Sequence, residues 1–339
     1  MKTLITGATG FIGRRLLKKL LAEDRDICCL IRNSSNISDL ESKGIGFMYG
    51  DIKNFSSIQK ALNDVDVIYH LAADANPSNY RPYEDYEINV IGTENILKAA
   101  MDKNSIKKIV FMSSIAATGP SRDGNLLDEN SKMEPITNYG ISKVNAENIA
   151  NEYYRKYNIP IVIIRPPMVY GIGDKDWIGF FQMIKNAGEN DRKLFVPGHH
   201  KNLFDFCYVD NLVEGIVLAE KSNETIGKTY FLTDRKTYTI EEILIAVSKA
   251  YGVNVPKKFY SEKFMIGLAK ILDKLGKIFH FDGPISERDI KWMTTNYWIC
   301  NSKKAEEEFG YNPSISLEEG IKRTVNWYQN NKEGIANDS

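Results

Sequence analysis

Two side chains in the middle of the chain have the types and the spacing needed to move a proton at a substrate oxygen. Tyr139 and Lys143 lie four residues apart in a stretch with a helical pattern, so both project from one face of a helix. An ammonium group beside a phenol stabilises the phenolate, and we therefore expect Lys143 to lower the pKa of Tyr139. Tyr49 and Lys53 share this spacing but straddle the end of a predicted strand. Spacing alone therefore does not select the first pair.

Two adjacent serines supply the context that Tyr49 and Lys53 lack. Ser113 and Ser114 end an apolar run, at the sheet edge where a cofactor would lie. A serine hydroxyl at that edge can hold a substrate oxygen next to Tyr139. We therefore predict a catalytic set of Tyr139, Lys143 and one of these two serines. The alternative is that Tyr139 and Lys143 are ordinary surface residues of a helix.

A glycine-rich turn near the amino terminus predicts a phosphate site. The segment Thr6-Gly7-Ala8-Thr9-Gly10-Phe11-Ile12-Gly13 follows an apolar run and precedes a helical pattern. The glycines let the backbone turn tightly and approach a pyrophosphate, whose charge the helix amides then face. We predict that a dinucleotide contacts Gly7, Thr9, Gly10, Phe11, Ile12 and Gly13.

The residue after the second predicted strand indicates which dinucleotide binds. An enzyme that prefers NAD usually carries an acid there to bind the ribose hydroxyls. This chain has Arg32 instead, followed by Ser34 and Ser35. A guanidinium group suits a 2′-phosphate, so we predict that NADP(H) is favoured over NAD(H). The alternative is that Arg32 is a solvated loop residue that stacks on the adenine.

Further cofactor contacts are expected at the ends of the third and fourth predicted strands. Asp51 and Ile52 are placed to hold the adenine edge. The small side chains that follow the fourth strand would let a cofactor lie against the backbone. These contacts are Leu71, Ala72 and Ala73, and we expect Tyr139, Lys143 and Pro166 to complete the cofactor site.

Strands and helices alternate over about the first 160 residues and must position these side chains. Runs rich in Ile and Val, with almost no polar alternation, predict strands that are buried on both faces. We predict strands at 2–6, 27–31, 46–49, 65–70, 106–112 and 161–164, and helices at 11–22, 55–62, 86–101 and 138–157. The predicted fold class is therefore α/β, a doubly wound parallel-sheet Rossmann fold with a smaller carboxyl-terminal substrate lobe.

The pattern loosens after about residue 166, where loops lengthen and aromatic residues become denser. We predict an NAD(P)-binding domain at 1–165, to which later elements return, a substrate-binding lobe at 166–330 and a frayed tail at 331–339. Within the lobe, the stretch 264–281 places Phe264 and Ile271 on one helical face and Lys270 on the other. We interpret it as an amphipathic helix that caps the lobe. The alternative is an interfacial helix that contacts a membrane and admits a lipid-like substrate.

Composition excludes several classes of protein. The 339 residues include 44 basic and 44 acidic side chains, a balance that argues against a nucleic-acid binder working through phosphate contacts. The four cysteines form no CxxC pair, so we expect no disulfide framework and no metal site. Reduced thiols, and a glycine turn too early to follow a signal peptide, indicate a cytoplasmic protein. No uncharged run reaches the length of a membrane span.

Taken in order, these motifs resemble those of the extended short-chain dehydrogenases/reductases, the NAD-dependent epimerase/dehydratase superfamily. The matching pieces are the glycine turn, residues 70–73, Asn89, residues 113–114, Tyr139 with Lys143, residues 165–171 and residues 208–211. The resemblance implies that Tyr139 is the acid/base, Lys143 its partner and ribose ligand, and Ser114 the ligand of the substrate oxygen. It also implies a homodimer built on the helices at 86–101 and 138–157.

The resemblance gives Asn89 a helix-breaking or relay role near the active site. A structural asparagine bonded to the backbone is an equal alternative, because buried asparagines usually satisfy their amide groups in this way.

Two branches of this family compete as guides to the substrate. Enzymes of nucleotide sugars commonly carry an asparagine where this chain has Met168, and an arginine facing the diphosphate where it has Phe204. The segment 292–298 also replaces their Arg-x-Gly-Asp. A diphosphate needs charge-assisted partners in a partly buried site. The chain therefore resembles more closely the branch of 3β-hydroxysteroid dehydrogenases and dihydroflavonol reductases.

The predicted function is an NAD(P)-dependent interconversion of a secondary alcohol and a ketone on a largely apolar, sterol- or flavonoid-like small molecule. The runner-up is a nucleotide-sugar 4-epimerase or dehydratase that uses the same catalytic set. A third interpretation, a redox-sensing regulator without turnover, is disfavoured by the intact catalytic set. We expect the substrate to contact Asp74, Ser114, Met168, Trp177 and Tyr208. Trp177, with Phe180 and Phe181, either walls an apolar pocket or belongs to the core of the lobe.

Overall fold

Buried side chains on both faces of its strands place one sheet at the centre of the molecule. Every residue of Val67–His70, Lys108–Met112 and Ile161–Arg165 is buried, as expected of parallel strands that helices cover on both sides. The structure, a computed structural model, describes residues 1–40, 44–75, 86–200, 202–279, 294–295 and 297–331.

The order of the strands creates a crevice at one end of this sheet. The strands within the described residues are β1 (Lys2–Thr6), β2 (Asp26–Ile31), β3 (Gly46–Tyr49), β4 (Val67–His70), β5 (Lys108–Met112), β6 (Ile161–Arg165), β7 (Met168–Tyr170), β8 (Leu194–Pro197), β9 (Leu203–Tyr208), β10 (Thr229–Phe231), β11 (Thr237–Thr239), β12 (Lys257–Tyr260) and β13 (Tyr297–Trp298). Seven of these described strands form a parallel sheet in the order β10-β6-β5-β4-β1-β2-β3. The chain order reverses between β1 and β4, which is where ligands bind in open sheets of this kind.

Helices cover both faces of the sheet. Those of the described residues are α1 (Phe11–Leu21), α2 (Phe55–Ala61), α3 (Gly92–Met101), α4 (Asn138–Tyr157), α5 (Ile178–Glu189), α6 (Val209–Lys221), α7 (Ile240–Tyr251), α8 (Glu262–Phe279), α9 (Lys303–Phe309) and α10 (Leu317–Asn330). Leu16 of α1 and Ile216 of α6 belong to the core on one face. Ile58 of α2, Ile96 of α3 and Ala146 of α4 belong to the core on the other.

The predicted fold class is confirmed, and the differences from the predicted elements are local. β4 begins at Val67 and β5 at Lys108, each two residues later than expected. Val65 and Ile106 are buried, but their backbone amides bond within the preceding turns. The Val65 amide donates to the Leu62 carbonyl, and the Ile106 amide donates to the Lys103 carbonyl. A buried apolar side chain in a turn therefore looks like the start of a strand. The predicted helix at 86–101 opens with a π-helical turn, Glu87–Ile91, before α3 begins.

A second set of elements follows β6. β7, β9, β11 and β13 make a mixed sheet, and β8 pairs with β12. Phe181 of α5, Val247 of α7 and Val325 of α10 lie in the core that covers it. β10 leaves this region and returns to the first sheet beside β6.

Two apolar residues of helix α8 named in the sequence analysis are exposed. Phe264 is 51% exposed and Ile271 is 58% exposed, whereas Met265 is buried. Phe264 and Ile271 thus present apolar surface to solvent, while Met265 packs against the protein. The tail at 332–339 lies outside the described residues, as do Trp292 and Met293. Within the described part of the chain, no helix combines the length and the hydropathy needed to cross a bilayer.

Candidate active site

The glycine turn brings β1, α1 and the end of β4 into close contact. Gly7 has a φ of +74°, and a Cβ atom there would lie 2.6 Å from the amide nitrogen of Ala72. The Gly10 amide donates to the Gly7 carbonyl over 3.1 Å, and α1 then starts at Phe11. Gly10 has no side chain with which to cap the helix, and the first turn carries no acid. The first amides of α1 are therefore available to an anion.

A cavity of about 640 Å³ opens beside this turn. Its lining contains most of the residues predicted to hold a dinucleotide, together with one residue predicted to contact substrate. These are Gly7, Thr9, Gly10, Arg32, Asp51, Ile52, Leu71, Ala72, Ala73 and Asp74. Phe11, Ile12 and Gly13 follow the turn at the start of α1 and do not line the cavity.

Several lining residues were not predicted from the sequence. Leu30, Ile31 and Gly50 line the cavity at the ends of β2 and β3. Lys53 and Glu87 also line it and form an ion pair of 3.5 Å. The parallel pairing of β2 and β3 could have indicated that Leu30, Ile31 and Gly50 line the cavity, because ligands bind at the carboxyl ends of parallel strands. Glu87 lies before α3, and no sequence pattern links it to Lys53.

Arg32 lies at the rim of the cavity, where β2 ends. Its side chain is exposed, and its backbone forms a turn with Ser35. The Arg32 amide donates to Ser35 Oγ over 3.2 Å, and the Ser35 amide donates to the Arg32 carbonyl over 2.9 Å. Ser35 also lines the cavity. The predicted phosphate ligands are thus adjacent to one another and open to solvent.

A buried chain of hydrogen bonds joins β1, β4 and α3 beside the cavity. Thr6 Oγ1 lies 2.8 Å from His70 Nδ1, and His70 Nε2 lies 3.0 Å from Thr93 Oγ1. Thr93 donates its hydroxyl proton to the Asn89 carbonyl over 2.7 Å, so it must accept from His70 Nε2–H. Nδ1 then accepts from Thr6, and the ring is neutral. Burial agrees with this assignment, because it lowers the pKa of His70 to about 3, with Lys143 adding to the effect.

The Asn89 amide group holds one edge of the site. Asn89 Oδ1 accepts from the Asp74 amide over 2.8 Å, and Asn89 Nδ2 donates to the Asp74 carbonyl and to Ser142 Oγ over 2.9 Å each. The π-helical turn carries Asn89 into this position, and the residue is buried. Both amide protons are engaged, which favours the structural alternative for Asn89 over a relay.

Local sequence explains how Tyr139 comes to lie against Ser114. Thr137 caps α4 by accepting from the Gly140 amide over 3.0 Å. A Cβ atom at Gly140 would lie 2.3 Å from the Ala116 carbonyl oxygen, so the absence of a side chain lets the helix approach the loop after β5. The Tyr139 phenol then hydrogen bonds to Ser114, and Lys143 Nζ lies 5.8 Å from the centre of the Tyr139 ring. The structure thus brings together the predicted catalytic set.

The two adjacent serines point to different partners. Ser114 Oγ accepts from the Ala116 amide over 3.1 Å and contacts Tyr139. Ser113 is buried and donates its hydroxyl proton to Glu147. Between the two serines, only Ser114 is thus in contact with the phenol.

The expected lowering of the Tyr139 pKa is wrong for this structure. Burial raises the pKa of Tyr139 to about 12, although the hydrogen bond from Ser114 opposes the rise. Burial also lowers the pKa of Lys143 to about 8, and the Lys143 ammonium donates to the Met112 carbonyl over 2.8 Å. Loss of hydration outweighs the neighbouring charge here. The phenol is therefore protonated near neutral pH.

Tyr49 and Lys53 have the same spacing as Tyr139 and Lys143, but they are not buried. Tyr49 is 61% exposed at the end of β3, and Lys53 is exposed and paired with Glu87. The structural context therefore separates the two matches, as the sequence context suggested.

The predicted substrate contacts beyond Asp74 and Ser114 fall into two groups. Met168 and Trp177 are partly buried and pack against the second core, with the Trp177 ring centre 5.5 Å from that of Phe206. Tyr208 is fully buried against Tyr170. The structure does not bring Tyr208 to an open cleft, because β9 turns its side chain into the core.

Three further residues named in the sequence analysis have structural contacts. Phe181 is a fully enclosed core residue, whereas Phe180 is partly buried beside Trp177. The buried Pro166 uses its carbonyl oxygen to accept from the Ile115 amide over 2.9 Å. Pro166 thus fixes the end of β6 against the loop that carries Ser114.

A doubly wound parallel sheet, a glycine turn at its first crossover and a serine, tyrosine and lysine at its edge define an extended short-chain dehydrogenase/reductase. The chain belongs to the NAD dependent epimerase/dehydratase family, whose model matches residues 3–232. Members of this family are NAD(P)-dependent oxidoreductases, epimerases and dehydratases.

Relatives of known name divide between the two predicted branches. A protein of Methanocaldococcus jannaschii named "Putative UDP-glucose 4-epimerase" is 31% identical, over 97% of this chain and 98% of that protein. The 3beta-hydroxysteroid-dehydrogenase/decarboxylase isoform 2 of Arabidopsis thaliana is 24% identical, over 95% of this chain and 61% of that protein. The structure of a UDP-glucose 4-epimerase from Thermotoga maritima superposes with a TM-score of 0.81 at 22% identity, covering 98% of this chain and all of that one.

The residues of the cavity fit the dinucleotide that the family implies. A Cβ atom at Gly7 would collide with Ala72, so glycine keeps the floor of the turn open. The uncapped start of α1 provides amides for a pyrophosphate, and the cavity extends from there to Arg32 and Asp51. Gly7, Thr9 and Gly10 would hold the phosphates.

Proposed function

We propose that this protein is an NAD(P)-dependent oxidoreductase that interconverts a secondary alcohol and a ketone. The observation that carries the proposal is the contact between the Ser114 hydroxyl and the Tyr139 phenol, with Lys143 Nζ 5.8 Å from the phenol ring. A phenol held in this way can exchange a proton with a substrate oxygen. The bound dinucleotide would supply or accept the hydride.

The protein's own residues have separable roles in this proposal. Ser114 donates a hydrogen bond to the substrate oxygen, and Tyr139 gives that oxygen its proton when a ketone is reduced. The raised pKa of Tyr139, about 12, keeps the phenol in the donating form at neutral pH. Lys143 holds a positive charge behind the phenol and is a ligand for the cofactor ribose. Asn89 fixes Asp74 at the edge of the cavity and acts as a positioning residue.

A largely apolar substrate is the class that we infer for this site. Met168 and Trp177 present apolar surface in the second set of elements, and Phe204 is buried in its core rather than carrying a charge toward a ligand. A diphosphate would need charge-assisted partners there. The similarity to a hydroxysteroid dehydrogenase/decarboxylase supports this class.

A nucleotide-sugar 4-epimerase is the second candidate. The 31% identity to the protein named as a UDP-glucose 4-epimerase spans almost the full length of both chains. Ser114, Tyr139 and Lys143 would serve that reaction equally well, because it begins with oxidation of a secondary alcohol.

We also infer a preference for NADP(H), a homodimer and a cytoplasmic location. Arg32 and Ser35 at the cavity rim support the cofactor preference. Met101 of α3 and Ile141 of α4 are exposed apolar residues on the helices expected to pair, which supports the dimer. The four cysteines, all within the described residues, are buried free thiols, which supports a reducing compartment. Light scattering at micromolar concentration tests the dimer, and a monomeric mass would reject it.

The decisive experiment for the substrate class is a screen of apolar ketones, sterols and UDP-sugars with NADPH and NADH. Oxidation of the cofactor is followed by its absorbance, and epimer formation by chromatography. Turnover of an apolar ketone or sterol is the expected result. Interconversion of UDP-sugars without net cofactor oxidation would instead select the epimerase.

A further inference from the structure

A buried ion pair lies directly below the proposed catalytic set. Arg165 Nε donates to Glu147 Oε1 over 2.9 Å, and Arg165 Nη2 donates to Glu147 Oε2 over 2.5 Å. Ser113 donates its hydroxyl proton to the same carboxylate, at Oε1. The Glu147 side chain has no exposed surface, and that of Arg165 is 3% exposed. Two charges taken out of water in this way need a reason beyond stability, because an apolar pair is often as stable.

The position of Glu147 in the helix suggests that reason. Tyr139, Lys143 and Glu147 are spaced by four residues along α4, so they form one row on the face that meets the sheet. Glu147 binds Ser113, the residue that directly follows β5, and Arg165, the last residue of β6. It therefore ties α4 to the strand end that carries Ser114.

Glu147 also controls the charge around Lys143. The Lys143 ammonium bonds to the Met112 carbonyl, while both Glu147 oxygens are taken by Arg165 and Ser113. Burial lowers the pKa of Lys143 to about 8, and the Glu147 carboxylate opposes this fall. Without that carboxylate, the lysine would lose its proton at a lower pH.

Within the row formed by Tyr139, Lys143 and Glu147 on α4, Glu147 is the anionic neighbour of Lys143. From β4, His70 interacts with Lys143 but is neutral, with its pKa lowered to about 3 by burial. From β6, Arg165 adds a second positive charge. On α4 itself, Tyr139 is protonated near neutral pH, and Asp74 acts on Tyr139 from the end of β4.

We propose that Glu147, held by Arg165 and Ser113, is a positioning residue that keeps Lys143 charged and Ser114 aligned against Tyr139. This proposal rests on the proposed function of the site, because it concerns a reaction in which Tyr139 moves the proton. A merely structural ion pair would affect folding and leave the reaction of the folded enzyme unchanged.

The test is the pH dependence of kcat and kcat/KM in Glu147→Gln. Glutamine keeps the shape and an acceptor oxygen but removes the charge. The alkaline limb, where Lys143 loses its proton, is expected to move to lower pH by about one unit. Glu147→Asp keeps the charge and is expected to leave this limb in place while lowering kcat. An alkaline limb that stays at the wild-type position in Glu147→Gln would overturn the proposal.

Glu220→Gln is a matched control. Glu220 forms a buried ion pair with Arg25 at 2.8 Å and also accepts from a hydroxyl, that of Tyr69. Arg25 precedes β2, at the opposite end of the strands from Ser113. This control should lose a comparable amount of stability without moving the alkaline limb. A limb that moves equally in both variants would assign the effect to general destabilisation and overturn the proposal.

A second variant covers the case in which Glu147→Gln does not fold. Ser113→Ala keeps the ion pair and removes the hydroxyl bond to Glu147, so kcat is expected to fall several-fold in a folded protein. Wild-type kcat in this variant would contradict the alignment of Ser114 through Glu147. Failure of the proposed function itself would be seen in different results. The wild type would turn over no alcohol, ketone or sugar nucleotide, or its activity would not depend on Tyr139.

Discussion

A Cβ atom on Gly13 would lie 2.1 Å from the carbonyl oxygen of Gly7 and 2.8 Å from the Cα of Ala8. The first turn of α1 therefore packs directly on the backbone of the glycine turn. The contact involves backbone atoms, which cannot move aside as a flexible side chain does. Gly13 thus sets the distance between the helix amides and the floor of the cavity, although it does not itself line the cavity.

Gly13→Ala is predicted to weaken dinucleotide binding and to destabilise the protein. The added methyl group must push α1 away from the turn, and overpacking of this kind costs about 1–3 kcal/mol. The measurements are cofactor titration by fluorescence and unfolding in urea. Gly179→Ala is the control, because Gly179 is also helical but a Cβ atom there would meet nothing within 4 Å. The control should be neutral or more stable by up to about 1 kcal/mol, and equal losses in both variants would refute the packing argument.

Arg32→Ala is predicted to abolish a preference for NADPH. A guanidinium group can make bidentate contacts to a 2′-phosphate, and charged hydrogen bonds contribute about 1.5–3 kcal/mol each, which corresponds to tenfold or more in affinity. Titration of both reduced cofactors against the wild type and the variant measures the effect. Equal affinities of the wild type for NADH and NADPH would remove Arg32 as a phosphate ligand. So would an unchanged preference in the variant.

Asp174 predicts a pH dependence of stability. It is buried before α5, burial raises its pKa to about 7, and its Oδ2 atom has no hydrogen-bond partner among the described residues. Between about pH 4 and pH 7, the folded protein holds a proton that the unfolded chain has lost. This contribution to the free energy of unfolding is complete below about pH 4 and is lost as the pH rises through 7.

Asp174→Asn should therefore gain stability relative to the wild type as the pH rises across that window. Asparagine keeps the oxygen that accepts from the Asp176 amide over 2.8 Å. Urea unfolding at pH 5 and pH 8 gives the difference between the two proteins at each pH. Asp176→Asn, at an exposed neighbouring position, serves as the control. Parallel stability curves for the wild type and Asp174→Asn would contradict the prediction.

Periodicity was sufficient to predict the strands at the centre of the sheet, and motif order to predict that Ser114, Tyr139 and Lys143 lie together. Apolar runs such as 161–164 are buried on both faces of the sheet. They can therefore be recognised as strands without an alternation of polar and apolar residues. Ser114 could be preferred over Ser113 from the resemblance, and the contact with Tyr139 agrees. These features depend on residues that are close in sequence or fixed by strand ends.

Contacts made by distant residues could not be predicted. Asn89 binds Asp74 and Ser142 from a π-helical turn, which has no distinct sequence pattern. Tyr208 lies in a motif that suggested a substrate contact, but its side chain is buried against Tyr170. The pKa of Tyr139 depends on how completely the surrounding residues exclude water, and spacing along a helix does not determine this.

The proposed reaction depends on Tyr139 as the group that moves the proton. Tyr139→Phe removes only the hydroxyl that contacts Ser114. Tyr49→Phe is the matched control, because Tyr49 has the same spacing to a lysine but is 61% exposed. The control should retain full activity and should bind cofactor like the wild type.

The most direct test is the turnover number of Tyr139→Phe on the substrate that the screen identifies, measured together with its affinity for the reduced dinucleotide. The predicted result is a loss of about 100- to 10,000-fold in kcat with unchanged cofactor binding, because the general acid has been removed while the cavity is intact. Retention of most of the wild-type kcat would exclude Tyr139 as the general acid.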